Sequence, residues 1–362
     1  MFYYLSEFKD LFFGLNIFRY ITFRAAMAAV TTFLFCIIFG PFFIAKLQAL
    51  KIREVAKRDD CPDLDQFQHS KEGTPTMGGV FVVGGILFSV VLWADLSNRL
   101  ILLTIFSCLS FSLLGFFDDY FKLTRRQGQR GVKKRTKLFW QVLIAVTIGV
   151  SVYLDGTYPT NLALPFFKEV IIHLGIIYVL FAALVVIGAS NAVNLTDGLD
   201  GLAIGCVLVV SIAFAALSYI VGNLKFSQYL YVDYIPGAGE LSIFCAAIMG
   251  ASLGFLWFNC HPATIFMGDV GSLSLGGTLG TIAVLIKQEI LLALVGGVFV
   301  IEAMSVILQV FSFRVLGKRI FKMSPLHHHF QLMGWKESKI ITRFWILAVI
   351  FALLAITTLK VR

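Results

Sequence analysis

Charge is scarce in this chain. Only 14% of its 362 residues are Asp, Glu, Lys or Arg, against roughly 25% in an ordinary soluble domain. That shortage excludes a string of soluble domains, which length alone would allow. Also missing are a long soluble segment, an internal repeat and a low-complexity tract. No small-residue cleavage pattern accompanies the first apolar run, so no cleavable signal peptide is expected. The six cysteines (Cys36, Cys61, Cys108, Cys206, Cys245, Cys260) form no CxxC pair, which points to buried or reduced thiols.

What is abundant is apolar surface: 58% of residues are hydrophobic and the mean hydropathy is +0.86. In lipid, only helices or a closed barrel satisfy every backbone hydrogen bond. The apolar runs are continuous rather than alternating, so the expected fold is an all-α polytopic integral membrane protein, one transmembrane domain over 1–362. A span needs about 20 residues. Ten stretches qualify: 22–45, 77–95, 99–117, 138–154, 170–188, 201–221, 240–258, 273–286, 290–310 and 342–359, the eighth short and glycine-rich. The loops 46–76, 118–137 and 311–343 hold 21 of the 30 Lys and Arg. Positive charge marks the cytoplasmic side, which places both termini in the periplasm.

The remaining loops expected on that side, 188–200 and 259–272, carry little basic charge but dense polar motifs. Together with 46–76, 118–137 and 311–341 they are the expected active-site loops. Polar groups at a membrane edge are expensive and point to function. In "FFDDYFK", Asp118 and Asp119 read either as a charged helix end or as carboxylates for a hard cation or a phosphate nucleophile. Neighbours on a helix point about 100° apart, so different roles for the two are expected. Lys122, at i+4 from Asp118, would pair with it or hold a phosphate. In "GASNAVNLTDGLDGLA", Asn191, Asn194, Asp197 and Asp200 recur every three residues, interleaved with Gly198 and Gly201. The glycines suggest a broken helix in close approach to a ligand, whose base or ribose the amides and carboxylates would recognise; a plain helix cap is the other reading.

In "FNCHPATIFMGDVGSLSLGG", Asp269 is either an N-cap or a carboxylate presented to a metal-bound diphosphate at a helix start. Asn259, His261 and Ser272 accompany it. "SPLHHHF" places His327, His328 and His329 in a row, too close together for a zinc site. They read as a surface loop or as imidazoles for phosphate or sugar. "KEGTPTMGG" joins Lys71 and Thr76 to two glycines at a membrane entry, a motif also found in ordinary turns.

Together, "FFDDYFK", "NAVNLTDGLDGLA", "FMGDVGSL" and "PLHHHF" resemble the polyprenyl-phosphate N-acetylhexosamine-1-phosphate transferases. The "HHH" and "GTPTMGG" elements favour the muramoyl-pentapeptide branch, and the likeness runs from "YITFR" at 20–24 to "TLKVR" at 358–362. The resemblance implies transfer of phospho-N-acetylmuramoyl-pentapeptide from UDP to undecaprenyl phosphate, giving lipid I and UMP for peptidoglycan synthesis. It implies Mg²⁺, a homodimer in the bacterial inner membrane, an active site on the cytoplasmic face, and no nucleic-acid partner. It also assigns Asp118, Asp119, Asp269 and Lys122 to catalysis and makes Asp269 the metal ligand, with Asp118 or Asp119 as its alternative partners. Lys71, Thr76, Lys137, Asn191, Asn194, Asp197, Gly198, Leu199, Asp200, Asn259, Phe266, Gln309 and the three histidines would line the substrate cleft. In-line attack by the lipid phosphate competes with a covalent aspartyl intermediate. A sibling transferase using UDP-N-acetylglucosamine is the nearest rival. A secondary transporter would instead place its polar residues near the midplane, in repeated halves.

Overall fold

The structure is a computed structural model that describes residues 1–10, 12–50, 52, 73–124, 131–156, 158–163 and 171–359. Lys71 and Cys61 lie outside the described residues. Apart from short 3-10 turns, one small hairpin and the connecting loops, the described chain is helical. The helices are α1 (Ile21–Ala49), α2 (Gly79–Trp93), α3 (Arg99–Thr124), α4 (Lys134–Tyr153), α5 (Ile177–Thr196) and α6 (Leu202–Val221). There follow α7 (Leu224–Leu230), α8 (Leu241–Asn259), α9 (Gly268–Leu285), α10 (Glu289–Val295), α11 (Gly297–Leu316), α12 (Leu326–Leu332) and α13 (Glu337–Thr358). The strands β1 (Asn161–Ala163) and β2 (Ile171–His173) pair antiparallel, with Leu162 opposite Ile172.

Among the described residues, eight helical segments are long and apolar enough to cross a membrane, as the sequence leads one to expect of an all-α polytopic membrane protein. Helix α9 is its central post. Every residue from Val270 to Leu285 is buried. Hydrophobicity cannot drive helices together in lipid, so close packing and polar contacts must do so, and α9 supplies small residues and hydroxyls for both. A Cβ on Gly276 would run into Ser190 of α5, and one on Gly277 into Phe111 of α3. Across these seams the Ser107 and Thr281 hydroxyls lie 2.7 Å apart. Ser274 donates to the Cys108 carbonyl at 2.8 Å, and Ser190 donates to the Leu273 carbonyl at 3.0 Å. Cys36, Cys108, Cys206 and Cys245 are buried free thiols within this packing.

Several expected boundaries move. Asp118 and Asp119 belong to α3, which runs on to Thr124 rather than giving way to a loop at 118. The expected loop 188–200 is helical to Thr196, since α5 starts seven residues after the expected 170. Asp269 and Ser272 lie in α9, Leu326–Leu332 is helical within the expected loop 311–341, and the expected span 290–310 is divided between α10 and α11. The common reason is that helical hydrogen bonding does not stop where the apolar run stops. Polar residues stay helical when their side chains face the protein interior.

Candidate active site

Three aspartates and two lysines meet at one end of the bundle. Lys137, on α4, donates to Asp269 Oδ2 at 2.6 Å and to Asp118 Oδ2 at 3.1 Å. Lys122, on α3, lies 3.0 Å from each of those same two oxygens and 3.4 Å from Asp119 Oδ1. Asp269 Oδ1 accepts from Asn194 Nδ2 at 2.9 Å, and the same amide donates to Ser272 Oγ at 2.8 Å. Asp118 and Asp119 are almost wholly buried. Buried carboxylates are tolerable only when paired and hydrogen-bonded, and here α3, α4, α5 and α9 each contribute a partner.

The two adjacent aspartates do different work with their outer oxygens. Asp118 Oδ1 accepts from the Val132 N–H at 2.7 Å, fixing the approach to α4 that delivers Lys137. Asp119 Oδ2 accepts from the Val270 N–H at 3.2 Å, satisfying one of the unpaired donors at the start of α9. Their remaining oxygens both reach Lys122, so side chains that diverge along the helix still share one long, flexible cation.

Glycines let the backbones carrying these groups approach. Gly268 opens α9 at φ +74°, in the left-handed region, and a Cβ there would crowd Asp119 Oδ2. A Cβ on Gly115 would strike the Asp269 backbone, and one on Gly79 the Gly271 backbone. The segment around Thr76 clamps the same place. Phe266 donates its N–H to the Pro75 carbonyl at 2.9 Å and accepts from Gly78 at 2.9 Å, while Gly79 donates to the Met267 carbonyl at 2.8 Å. Thr76 Oγ1 faces Gly268. The "GTPTMGG" motif therefore holds the start of α9 in place.

The turn after α5 forms a second cluster. Asp197 caps α5, Leu199 is in the apolar core, and Gly201 adopts φ +77°. Asp200 Oδ2 accepts from the Ala263 N–H and lies against His261 Nδ1, both at 3.1 Å, and the Asp200 N–H donates to Glu337 Oε1 at 3.0 Å. Asn259 is spent within the protein, accepting from Gly201 N–H at 2.9 Å and donating to the Ile265 carbonyl at 2.8 Å. One ligand atom each of Asp200, His261 and Glu337 lies within 4.8 Å of the others, a set able to hold a cation. Their hydrogen bonds to one another and to backbone already tie three segments together. Asn191 is not with the aspartates: it exchanges hydrogen bonds with Gln141 of α4 at 3.1 and 3.3 Å.

The histidines form a third cluster on α12. His327 is fully buried and its ring lies 4.2 Å from that of His328. A Cβ on Gly198 would collide with His327, so this ring sits directly on the turn after α5. His328 Nδ1 faces Gln331 Oε1 at 2.8 Å, and His329 Nδ1 accepts from the Lys322 N–H at 3.1 Å. Gln309 binds the backbone of Phe321 through both ends of its amide, at 2.9 Å each. Glu302, on α11, escaped the sequence reading, although a lone carboxylate inside an apolar span is the signal that finds such a residue. It faces His327 at 3.3 Å.

The chain is similar to known proteins over nearly its whole length. The glycosyl transferase family 4 description matches residues 100–287, a segment that carries all three aspartates and both lysines. That match sets the class: a membrane-embedded glycosyl transferase. Within it, signature 1 of the phospho-N-acetylmuramoyl-pentapeptide-transferases matches residues 71–83, a range that includes Pro75, Gly78 and Gly79 of the clamp on α9. Proteins named phospho-N-acetylmuramoyl-pentapeptide-transferase are similar throughout. The one from Thermodesulfovibrio yellowstonii is 52% identical over 99% of each chain, and the one from Citrifermentans bemidjiense 52% over 96% of each. The Pelobacter propionicus protein is 51% identical over 96% of each. The chain belongs to the phospho-N-acetylmuramoyl-pentapeptide-transferase family.

Proposed function

We propose that this chain transfers phospho-N-acetylmuramoyl-pentapeptide from its UDP-activated form to undecaprenyl phosphate, releasing UMP and forming lipid I. The observation that carries the reading is the meeting of Asp118, Asp119 and Asp269 with Lys122 and Lys137 at one end of an apolar bundle. Phosphoryl transfer asks mainly for positioning and charge stabilisation, and no Ser-His-Asp arrangement is needed. The sibling donor UDP-N-acetylglucosamine is not favoured, since the relatives carry the muramoyl-pentapeptide name.

In this reading the lysines hold anionic phosphate oxygens, and the aspartates keep those lysines in place until substrate arrives. Asn194 orients Asp269 by its 2.9 Å hydrogen bond, and Thr76, Asp197, Gly198, Phe266 and α12 are assigned to the donor cleft. Direct attack by the lipid phosphate requires that nearby carboxylates not repel it, a condition the lysine pairing of Asp118 meets. Three aspartate carboxylates are hard oxygen donors of the type Mg²⁺ takes, so the residues present fit that ion, with Asp269 as its principal holder and Asp118 or Asp119 beside it. Bound Mg²⁺ would polarise the diphosphate and offset the charge on departing UMP.

Ten spans follow if α2 and α9 cross with the eight longer segments, which leaves both termini periplasmic and the aspartates at the cytoplasmic face of the bacterial inner membrane. The basic loops support this orientation, and a homodimer is part of the proposal. The test is radiolabelled UDP donor with undecaprenyl phosphate, with and without Mg²⁺. Labelled lipid and UMP only when the metal is present are expected. Turnover of UDP-N-acetylglucosamine alone would reject the muramoyl assignment.

A further inference from the structure

Glu302 has no part in the reaction so far described, yet it is fully buried within α11. A carboxylate in an apolar helix is costly unless it is fully hydrogen-bonded. Its partners all come from one place. Oε2 accepts from the Leu326 N–H at 2.7 Å and Oε1 from the His327 N–H at 3.2 Å, the first donors of α12. Oε2 also lies 3.3 Å from His327 Nδ1. Neither ring nitrogen of this buried imidazole makes a hydrogen bond. His328 and His329 are held from within their own segment, by Gln331 and by the Lys322 backbone. His327 is held from another helix, through its backbone N–H on Glu302, and its ring rests on Gly198 in the turn that follows Asn194.

We infer that Glu302 is a positioning residue for the nucleotide-sugar donor: through α12 and His327 it sets where the histidine cluster meets the turn after α5. The inference rests on the transferase reading, with α12 at the donor cleft. The chemistry also explains why glutamate is needed. Both carboxylate oxygens accept a backbone N–H, whereas a glutamine offers one acceptor and sets its NH₂ against the second donor. Glu302→Gln keeps the shape and loses half of the attachment.

The test is steady-state kinetics on the purified full-length chain in detergent, varying each substrate separately. Glu302→Gln is expected to raise KM for the UDP donor about tenfold, the effect of losing one hydrogen bond to a charged group, with KM for undecaprenyl phosphate within about twofold of the parent. His327→Ala should show the same split, and the double variant should be no worse than the more affected single one. If Glu302→Gln does not fold, Glu302→Asp, which keeps both acceptor oxygens on a shorter side chain, takes its place and should show the same split. Unchanged donor KM in the folded variants, or equal rises in both KM values, overturns the inference while leaving the transferase reading intact. A parent chain that makes no lipid product overturns both.

Discussion

Removing the Asn194 side chain tests the site at one hydrogen bond. Its amide nitrogen donates to Asp269 Oδ1 at 2.9 Å and to Ser272 Oγ at 2.8 Å, and no other donor to Asp269 Oδ1 is found among the described residues. In Asn194→Ala that oxygen keeps its charge and loses its donor, at a site largely shielded from water. A hydrogen bond to a charged group contributes about 1.5–3 kcal/mol. If Asp269 acts in the transition state, that loss lowers kcat/KM by roughly tenfold to a hundredfold. Ser272 keeps its bond to the Gly268 carbonyl at 3.0 Å, so the start of α9 should stay in place and the melting temperature should change little. The assay is transfer of label from the UDP donor to lipid, read beside a thermal melt. Asn194→Asp should be worse, because it sets a second negative charge against Asp269. Full activity in a folded Asn194→Ala protein would refute the claim that Asp269 must be held in one orientation.

Lys137→Ala removes one of the two cations bridging Asp118 and Asp269, Lys122 being the other, and with it a charged hydrogen bond to each carboxylate, so activity should fall by roughly tenfold to a hundredfold while membrane insertion is retained, as fractionation and transfer assays will show. Gly79→Val drives a side chain into the Gly271 backbone and should lower the melting temperature and the activity together, by more than about 2 kcal/mol in stability. Asn259→Ala leaves the Gly201 N–H and the Ile265 carbonyl unpaired in a buried setting, a loss of about 1–3 kcal/mol that a thermal melt will register even without substrate.

The membrane fold was legible because apolar runs long enough to span are a property of the chain alone. Helix ends were less so. Asn191 and Asn194 look like loop residues, but they remain helical because each finds a partner on another helix, Gln141 for one and Asp269 for the other. Their three-residue spacing itself implies a drift around the helix. Three residues fall about 60° short of a full turn, and that rotation sends Asn191 toward α4 instead of toward the aspartates. The divergence of Asp118 and Asp119 could be read from helix geometry, whereas the backbone donors they reach, Val132 and Val270, lie 14 and 151 residues away and leave no local trace. Asp200 and Asn259 read as ligand groups in the sequence because they are polar at a membrane edge. Their visible hydrogen bonds serve the protein itself, tying the turn after α5 to the ends of α8 and α13. Glu302 stands alone in its span, and the backbone donors that explain it, Leu326 and His327, lie 24 and 25 residues away.

The central claim is that the aspartate and lysine cluster transfers a phosphosugar onto a lipid phosphate. The most direct measurement is to incubate the purified chain with UDP-N-acetylmuramoyl-pentapeptide labelled in the sugar, undecaprenyl phosphate and Mg²⁺, beside Asp269→Asn. Label should move into the lipid phase with one UMP released per lipid formed, and the variant should do neither. No lipid-linked label from the parent chain, or an Asp269→Asn protein as active as the parent, would contradict the account.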